Sequence, residues 1–179
     1  NIRTVSDLSK EIQLVFQDPF SSLNPKHSIG EAISEVFQVS EANLKSTEIK
    51  QKTVELIETV GLSKSDFDKY PHEFSGGQRQ RICIAKALAK KPKFIVLDEA
   101  VSALDVSIQA KILNLLNQLK IRNGLTYLLI SHDMNVVSYF CNKLVVLKNG
   151  KIIESGDSEI LINNPKSNYT KSLLESSIN

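Results

Sequence analysis

The sequence predicts an α/β domain with a parallel sheet and an antiparallel edge. Two short apolar runs, Phe94–Leu97 and Tyr127–Ile130, have the uninterrupted pattern of strands buried on both faces of a parallel sheet. Segments with helical spacing of apolar residues lie between and around these runs. Asn149 and Gly150 separate two further apolar runs, which is typical of a β-hairpin. Alternating strands and helices indicate a sheet covered by helices.

The first half begins with a short predicted strand, Glu11–Phe16, followed by a turn-rich segment, Asp18–Pro25. The spacing of apolar residues then predicts two helices, Ile29–Val39 and Thr47–Val60. A loop over Ser63–Ser75 leads into the second half.

The second half predicts a helix after Gly77 that Pro92 ends, and a long helix that begins after Asp105 and ends at Gly124. A short helix over Val136–Phe140 is expected next, and then the hairpin. The six basic residues near the first of these helices are interpreted as a solvated face rather than a nucleic-acid surface, because no aromatic residues interleave them. They are Arg79, Arg81, Lys86, Lys90, Lys91 and Lys93.

Composition excludes several classes of protein. A length of 179 residues suits one domain, or one domain with a subdomain, and 41% hydrophobic residues argue against intrinsic disorder. A net charge of +2 does not by itself indicate a nucleic-acid or membrane-surface protein. Cys83 and Cys141 lie far apart, which indicates neither a disulfide scaffold nor a zinc site and favours a reducing compartment. No apolar run has the length of a membrane span or the form of a signal peptide.

The glycines decide a further point. None of the seven stands five positions from another, so the phosphate-binding pattern G-x-x-x-x-G-K-[ST] is absent from the sequence.

Two carboxylates, Asp98 and Glu99, follow the first buried strand. Ligands bind at the carboxyl edge of open α/β sheets, where one carboxylate can help hold Mg²⁺ and the other can orient or deprotonate a water. The alternative is that Asp98 caps the next turn. Gln17 also stands at the end of a strand, where its amide could reach a metal or a water.

Two further motifs lie near predicted strand or helix ends. Ser75 can cap a helix whose first residues, Gly76 and Gly77, would let a ligand approach the backbone, and a helix N-terminus attracts anions. An ordinary capped helix start is the alternative. His132 follows the second apolar strand and could bond a terminal phosphate and an attacking water, although a single histidine is more often structural.

The order of these motifs resembles the nucleotide-binding domain of ATP-binding cassette (ABC) ATPases. The resemblance implies a P-loop NTPase fold and roles for each motif: Gln17 as the Q-loop glutamine, Phe74–Gln78 as the signature motif, and Ser102–Asp105 as the D-loop. It further makes Asp98 and Glu99 the Walker B aspartate and the catalytic glutamate, and His132 the switch histidine. The signature usually opens with Leu rather than Phe.

The resemblance therefore assigns catalysis to Glu99, His132 and Gln17, and a metal to Asp98 and Gln17. Nucleotide-binding residues are Ser75, Gly76, Gly77, Gln78 and Asp105. The implied cofactors are ATP and Mg²⁺.

Finer similarity concerns three segments, Val15–Pro25, Asp98–Ser107 and Asn164–Thr170, which are similar to oligopeptide, dipeptide and nickel importer ATPases. This implies a second ABC ATPase subunit, identical or related, transmembrane permease subunits, and indirectly an extracytoplasmic peptide-binding protein. It implies no nucleic-acid partner, a peripheral location on the cytoplasmic face of the plasma membrane and, without a cysteine-rich extension, no iron–sulfur cluster.

The resemblance also implies a layout of domains. Residues 1–17 and 79–156 would form a partial RecA-like α/β core, residues 18–78 an inserted Q-loop and helical signature subdomain, and residues 157–179 a C-terminal helical tail. Asn1–Ser9 would match the stretch before the Q-loop strand. In this family the pattern G-x-x-x-x-G-K-[ST] is the Walker A loop, which holds the phosphates of ATP. Because the sequence lacks it, we expect an N-terminally truncated ABC ATPase that binds ATP poorly alone.

Two alternatives remain at this point. A non-catalytic interaction fragment from a split or decayed gene would pair through its signature and D-loop surfaces without turnover. A soluble ABC ATPase of repair or translation is disfavoured by the importer-like segment Asp18–Pro25.

Overall fold

A computed structural model of the chain describes residues 11–41 and 43–177. It contains two compact units, Asn1–Leu128 and Leu129–Asn179, and each is described by itself below. The predicted match of Asn1–Ser9 lies outside the described residues.

The first unit contains the parallel sheet. Strand β1 (Ile12–Val15) pairs in parallel with β2 (Phe94–Asp98), with Ile12 opposite Phe94 and Val15 opposite Leu97. The strand order is β1-β2-β3, and β3 (Thr126–Ile130) begins in this unit. Because β1 and β2 run in the same direction, the residues that follow them lie at one edge of the sheet.

Four helices of the first unit have the positions that apolar spacing predicts. They are α1 (Ile29–Ser40), α2 (Ser46–Thr59), α3 (Gly76–Ala89) and α4 (Val106–Asn123). The predicted loop between α2 and α3 contains two short 3₁₀ turns, Lys64–Asp66 and Pro71–Glu73. Gly124 ends α4 in the left-handed conformation, which glycine adopts without steric cost.

The core of this unit contains apolar side chains of the helices and of strands β1 and β2. Burying one such aliphatic side chain stabilises the fold by about 1.5–3 kcal/mol. The most deeply buried large side chains are Ile29, Ile33, Ile57, Ile82, Ile84, Ile95, Leu97, Ile112 and Leu116.

The strands are less buried than predicted. In β2 only Ile95 and Leu97 are fully buried, while Phe94 and Val96 are half-buried. The prediction of a second doubly buried strand was wrong, because Leu128 is 48% exposed and Ile130 is 46% exposed. In a strand, alternate side chains point to opposite faces, and β3 lies at the edge of the described sheet.

The prediction of a solvated basic face was wrong for three of its residues. Arg79 donates to the carbonyl of Phe74 at 2.6 Å and Arg81 to that of Val60 at 2.7 Å, and Lys86 also bonds a backbone carbonyl. All three side chains are half-buried. Long basic side chains can bury their stems while the charged group bonds a carbonyl.

The second unit contains the predicted hairpin and three short helices. Strands β4 (Lys143–Lys148) and β5 (Lys151–Asp157) pair antiparallel and form a two-stranded sheet of their own, rather than an edge of the parallel sheet as predicted. Asn149 and Gly150 both have positive φ, as a two-residue hairpin turn requires. The helices are α5 (Met134–Phe140), α6 (Ser158–Asn163) and α7 (Asn168–Ser177).

Within residues 11–41 and 43–177, the helices are all too short or too polar to cross a membrane.

Candidate functional site

The parallel register brings Gln17 and the two carboxylates together. Val15 lies opposite Leu97, so the next residues along each strand, ending in Gln17 and in Asp98 and Glu99, reach the same sheet edge. All three line a cleft of about 850 Å³. The resemblance implies this grouping, because it assigns a metal to both Asp98 and Gln17, and parallel strands carry their carboxyl ends to one edge.

Ser102 joins Gln17 to Glu99. The side-chain amide of Gln17 donates to Ser102 Oγ at 3.1 Å, and Ser102 Oγ in turn donates to the carbonyl of Glu99 at 2.9 Å. The same hydroxyl lies 3.5 Å from Glu99 Oε2. Glu99 has a φ of +46°, which is strained for a residue with a side chain and is held by the surrounding turn. Residues under such strain are enriched at functional sites.

Asp98 differs from its neighbour. Its side chain is half-buried, and it has no hydrogen-bond or ion-pair partner within the described ranges 11–41 and 43–177. The turn that follows is closed by the backbone instead, with Ser102 N–H donating to the Glu99 carbonyl at 3.0 Å. The alternative that Asp98 caps this turn is therefore wrong. A partly desolvated carboxylate without a protein partner is suited to a cation.

The residues Ser75–Gln78 form the N-terminus of α3. Ser75 Oγ accepts from Gln78 N–H at 3.3 Å, and Gln78 Oε1 accepts from Ser75 N–H at 2.9 Å, which makes a capping box. The sequence predicted the cap. In this box the oxygen of each side chain accepts the backbone N–H of the other residue.

The two glycines of this motif serve different purposes. A Cβ placed on Gly77 would lie 2.4 Å from Ile108 Cγ2 in α4, whereas a Cβ on Gly76 would lie 3.5 Å from Leu104 Cδ2. Gly77 is thus required for the close packing of α3 on α4. These contacts also bring the start of α3 beside the loop Ser102–Asp105.

Asp105 caps α4. Its Oδ1 accepts from Ile108 N–H at 2.9 Å and from Ser107 Oγ at 2.8 Å. These bonds, led by the one from Ile108, lower the pKa of the Asp105 carboxyl because they stabilise its charged form. The predicted cap is confirmed, and its nucleotide-binding role stays a prediction.

His132 lies in the second unit, between the end of β3 and the start of α5, and its side chain is exposed. The following residue, Asp133, caps α5 by accepting from Asn135 N–H at 2.8 Å. The position of His132 at the same sheet edge as the carboxylates stays a prediction.

Ser102 belongs to the Ser102–Asp105 motif but is not among the site residues that the sequence predicts. Its position three residues after Glu99 is the spacing of a turn, in which a hydroxyl can reach the first carbonyl. Its bond to Gln17 crosses 85 positions of the chain, and no local pattern reveals such a contact.

Comparison with known proteins supports the resemblance. The model of the ABC transporter family matches residues 1–102. The chain is 47% identical over 168 residues to the oligopeptide transport ATP-binding protein OppF of Bacillus subtilis, covering 94% of this chain and 55% of that protein. It is 47% identical over 166 residues to the dipeptide transport ATP-binding protein DppF of Lactococcus lactis, covering 93% and 53%. For the peptidoglycan transport ATP-binding protein YejF of Agrobacterium fabrum, the identity is 46% and the shares are 96% and 32%.

A solved structure agrees with this assignment. CbiO1 of Clostridium perfringens, described as part of the ABC transporter complex CbiONQ, superposes with a TM-score of 0.78 at 28% identity, over 89% of this chain and 62% of that one. The chain spans about half, or less, of the length of the curated relatives that it matches. The family model covers more than half of the chain, and the fold agrees with a solved member, so the chain belongs to the ABC transporter family of ATP-binding proteins.

Proposed function

We propose that the chain is part of an ATP-binding and ATP-hydrolysing subunit that powers an importer of oligopeptides or dipeptides. The names of its relatives support the transport role. The observation that carries the enzymatic role is the cleft in which Gln17, Glu99 and Asp98 meet, with Asp98 having no partner among residues 11–41 and 43–177.

Asp98 and Gln17 fit a role in holding Mg²⁺. The Asp98 carboxylate faces the cleft and makes no bond to other described side chains, and the Gln17 amide oxygen is not used by the bond to Ser102. No group of three or more His, Cys, Asp or Glu residues suited to a metal was found within residues 11–41 and 43–177, so further ligands would come from ATP and water. When bound, Mg²⁺ would neutralise charge on the phosphates.

Glu99 is proposed to orient the attacking water and to accept its proton. Its carboxylate lies at the same strand end as Asp98, and the turn that Ser102 closes fixes its backbone. The Gln17 side chain would orient the same water or the metal from the neighbouring strand. His132 is proposed to bond the terminal phosphate.

Ser75, Gly76, Gly77 and Gln78 are proposed to contact ATP held by a partner subunit. The oxygens of the Ser75 and Gln78 side chains accept each other's backbone N–H groups, so a phosphate would meet the N–H groups of Gly76 and Gly77, which have no acceptor within the helix. Asp105 would act from the adjacent loop through its effect on the start of α4.

The partners of the proposed assembly are a second ABC ATPase subunit, transmembrane permease subunits and, indirectly, an extracytoplasmic peptide-binding protein. The subunit would work at the cytoplasmic face of the plasma membrane. The helical region within residues 18–78 would contact the permease. The division into a core of residues 1–17 and 79–156, this helical region, and a tail of residues 157–179 is part of the proposal.

The test is ATP hydrolysis by the protein purified with its membrane subunits. Glu99→Gln keeps the size of the side chain and removes its basicity, so we expect hydrolysis to fall by a factor of about 100 or more, with ATP binding retained. Glu175→Gln, an exposed change of the same type on α7 and outside the region proposed to contact the permease, is the control and should keep full activity. Equal hydrolysis by the Glu99→Gln variant and the wild type would refute the proposed role.

A further inference from the structure

Helix α3 and the segment Phe16–Ser22 are joined by three hydrogen bonds of uniform spacing, which we call the ladder. In each bond a side chain of α3 donates to a backbone carbonyl 64 positions earlier in the chain. The pairs are Gln80 Nε2 and the Phe16 carbonyl at 3.4 Å, Cys83 Sγ and the Pro19 carbonyl at 3.8 Å, and Lys86 Nζ and the Ser22 carbonyl at 3.2 Å. The segment therefore runs along α3 in the same direction as the helix.

The burial of the donors shows that the ladder is more than a surface contact. Gln80 is 1% exposed and Cys83 is 8% exposed, while Lys86 is half-buried. A buried side-chain amide is costly unless it makes a hydrogen bond, and the bond that the structure gives Gln80 is the one to Phe16.

The first acceptor of the ladder is the residue before Gln17. From Gln17 the connection continues through Ser102 to Glu99. The helix that carries the donors begins with Ser75–Gln78, so the same rigid element starts at one proposed site and supports the other.

We propose that Gln80, Cys83 and Lys86 are positioning residues that determine where Gln17 lies relative to Glu99, and that α3 thereby links the Ser75–Gln78 motif to the strand-end site. The significance for catalysis rests on the proposed function. The positioning itself is measured on the full chain without nucleotide.

The first experiment measures alkylation of Cys83 by iodoacetamide, with Cys141 as the internal reference. Burial raises the pKa of the Cys83 thiol to about 12. The thiol therefore reacts slowly while the segment Phe16–Ser22 lies on α3, which we call the closed segment, and faster when the segment leaves α3 and is open. Gln80→Met removes the amide and leaves the Phe16 carbonyl without its donor. We expect alkylation of Cys83 to become roughly tenfold faster, because the open segment becomes more populated.

The matched control is Gln51→Met. Gln51 is an exposed glutamine on α2 whose amide donates to Glu55 on the same helix at 3.1 Å. This variant should leave the rate for Cys83 unchanged. An unchanged rate in the Gln80→Met variant would contradict the proposal.

A second pair of variants covers the case in which Gln80→Met does not fold. Lys86→Met removes the last donor while keeping an apolar stem, and should also accelerate alkylation of Cys83. Lys86→Arg keeps a donor and should restore the wild-type rate. If both Lys86 variants alkylate at the wild-type rate, the ladder does not hold the segment.

A spectroscopic measurement separates positioning from general stability. The NMR signal of the Gln17 side-chain amide in Ser102→Ala gives the reference for Gln17 without its acceptor. In a chain that keeps Ser102, Gln80→Met or Lys86→Met should move the signal of the Gln17 side-chain amide toward the reference value. If neither variant moves the signal, the proposal fails. If the signal moves but the transporter shows no ATP hydrolysis, the ladder stands and the proposed function fails.

Discussion

The strand ends and the start of α3 differ in how their side chains are used. At the strand ends, Asp98 has no partner among the described residues, and Gln17 bonds Ser102 with one end of its amide only. At the start of α3, Ser75 and Gln78 satisfy each other, and Gly77 is packed against Ile108. At the strand ends the Asp98 carboxylate is thus available to a ligand, whereas at the helix start the side-chain oxygens of Ser75 and Gln78 are used in capping. Gly77, within the proposed Ser75–Gln78 site, is therefore also required for packing on Ile108.

The largest change in the free energy of unfolding is expected for a substitution at Gly77, which tests whether this glycine is required for packing. Gly77→Ala places a Cβ at 2.4 Å from Ile108 Cγ2, and the stiff β-branched side chain cannot turn away within its helix. We expect the free energy of unfolding in urea to fall by about 2 kcal/mol. The neighbouring change Gly76→Ala meets Leu104 at an ordinary 3.5 Å and should leave stability unchanged or raise it by up to about 1 kcal/mol. Equal losses in the two variants would show that packing on α4 does not distinguish the glycines.

A smaller change in the free energy of unfolding is expected when one residue of each site is replaced, Ser75 at the start of α3 and Asp98 at the strand ends. Ser75→Ala removes the acceptor for Gln78 N–H and should lower the free energy of unfolding by about 1 kcal/mol. Asp98→Asn removes no bond to the described part of the chain and should change it by less than about 0.5 kcal/mol. Urea denaturation of both variants measures the difference. A cost for Asp98→Asn as large as that for Ser75→Ala would mean that Asp98 has a structural role.

The smallest effect concerns the cap of α4 and its dependence on pH. The pKa of Asp105 is lowered in the folded chain, so the charged carboxylate stabilises the fold. This stabilisation is complete above the unfolded pKa, near roughly 4, and is lost as the pH falls through the lower folded pKa. Wild type should therefore be more stable than Asp105→Asn at pH 7, and the gap should close as the pH falls below about 4. Thermal unfolding of both proteins across this pH range measures the difference in their stability. A difference that does not change with pH would contradict the capping role.

Much of the fold was predictable because it is local. The caps at Ser75 and Asp105 and the hairpin at Asn149-Gly150 depend on residues within a few positions of one another. The meeting of Gln17 with Asp98 and Glu99 was also predictable, because parallel pairing follows from the strand pattern.

Other features depend on neighbours that are distant in sequence. The exposure of Leu128 in β3 was not predictable, because an apolar run has the same pattern whether one or both faces are covered. The use of Arg81 and Lys86 as donors to carbonyls was equally hidden, since a basic residue at helical spacing is usually solvated.

The sequence by itself determined most of the secondary structure, the family and the edge of the sheet where Asp98 and Glu99 lie, because periodicity, caps and motif order depend on neighbouring residues. Only the tertiary structure decided that Asp98 has no partner in the described part of the chain, that Ser102 bonds Gln17 across 85 positions, and that α3 bonds Phe16–Ser22 at an offset of 64. These contacts depend on how elements pack, and packing brings together side chains whose separation along the chain carries no signal.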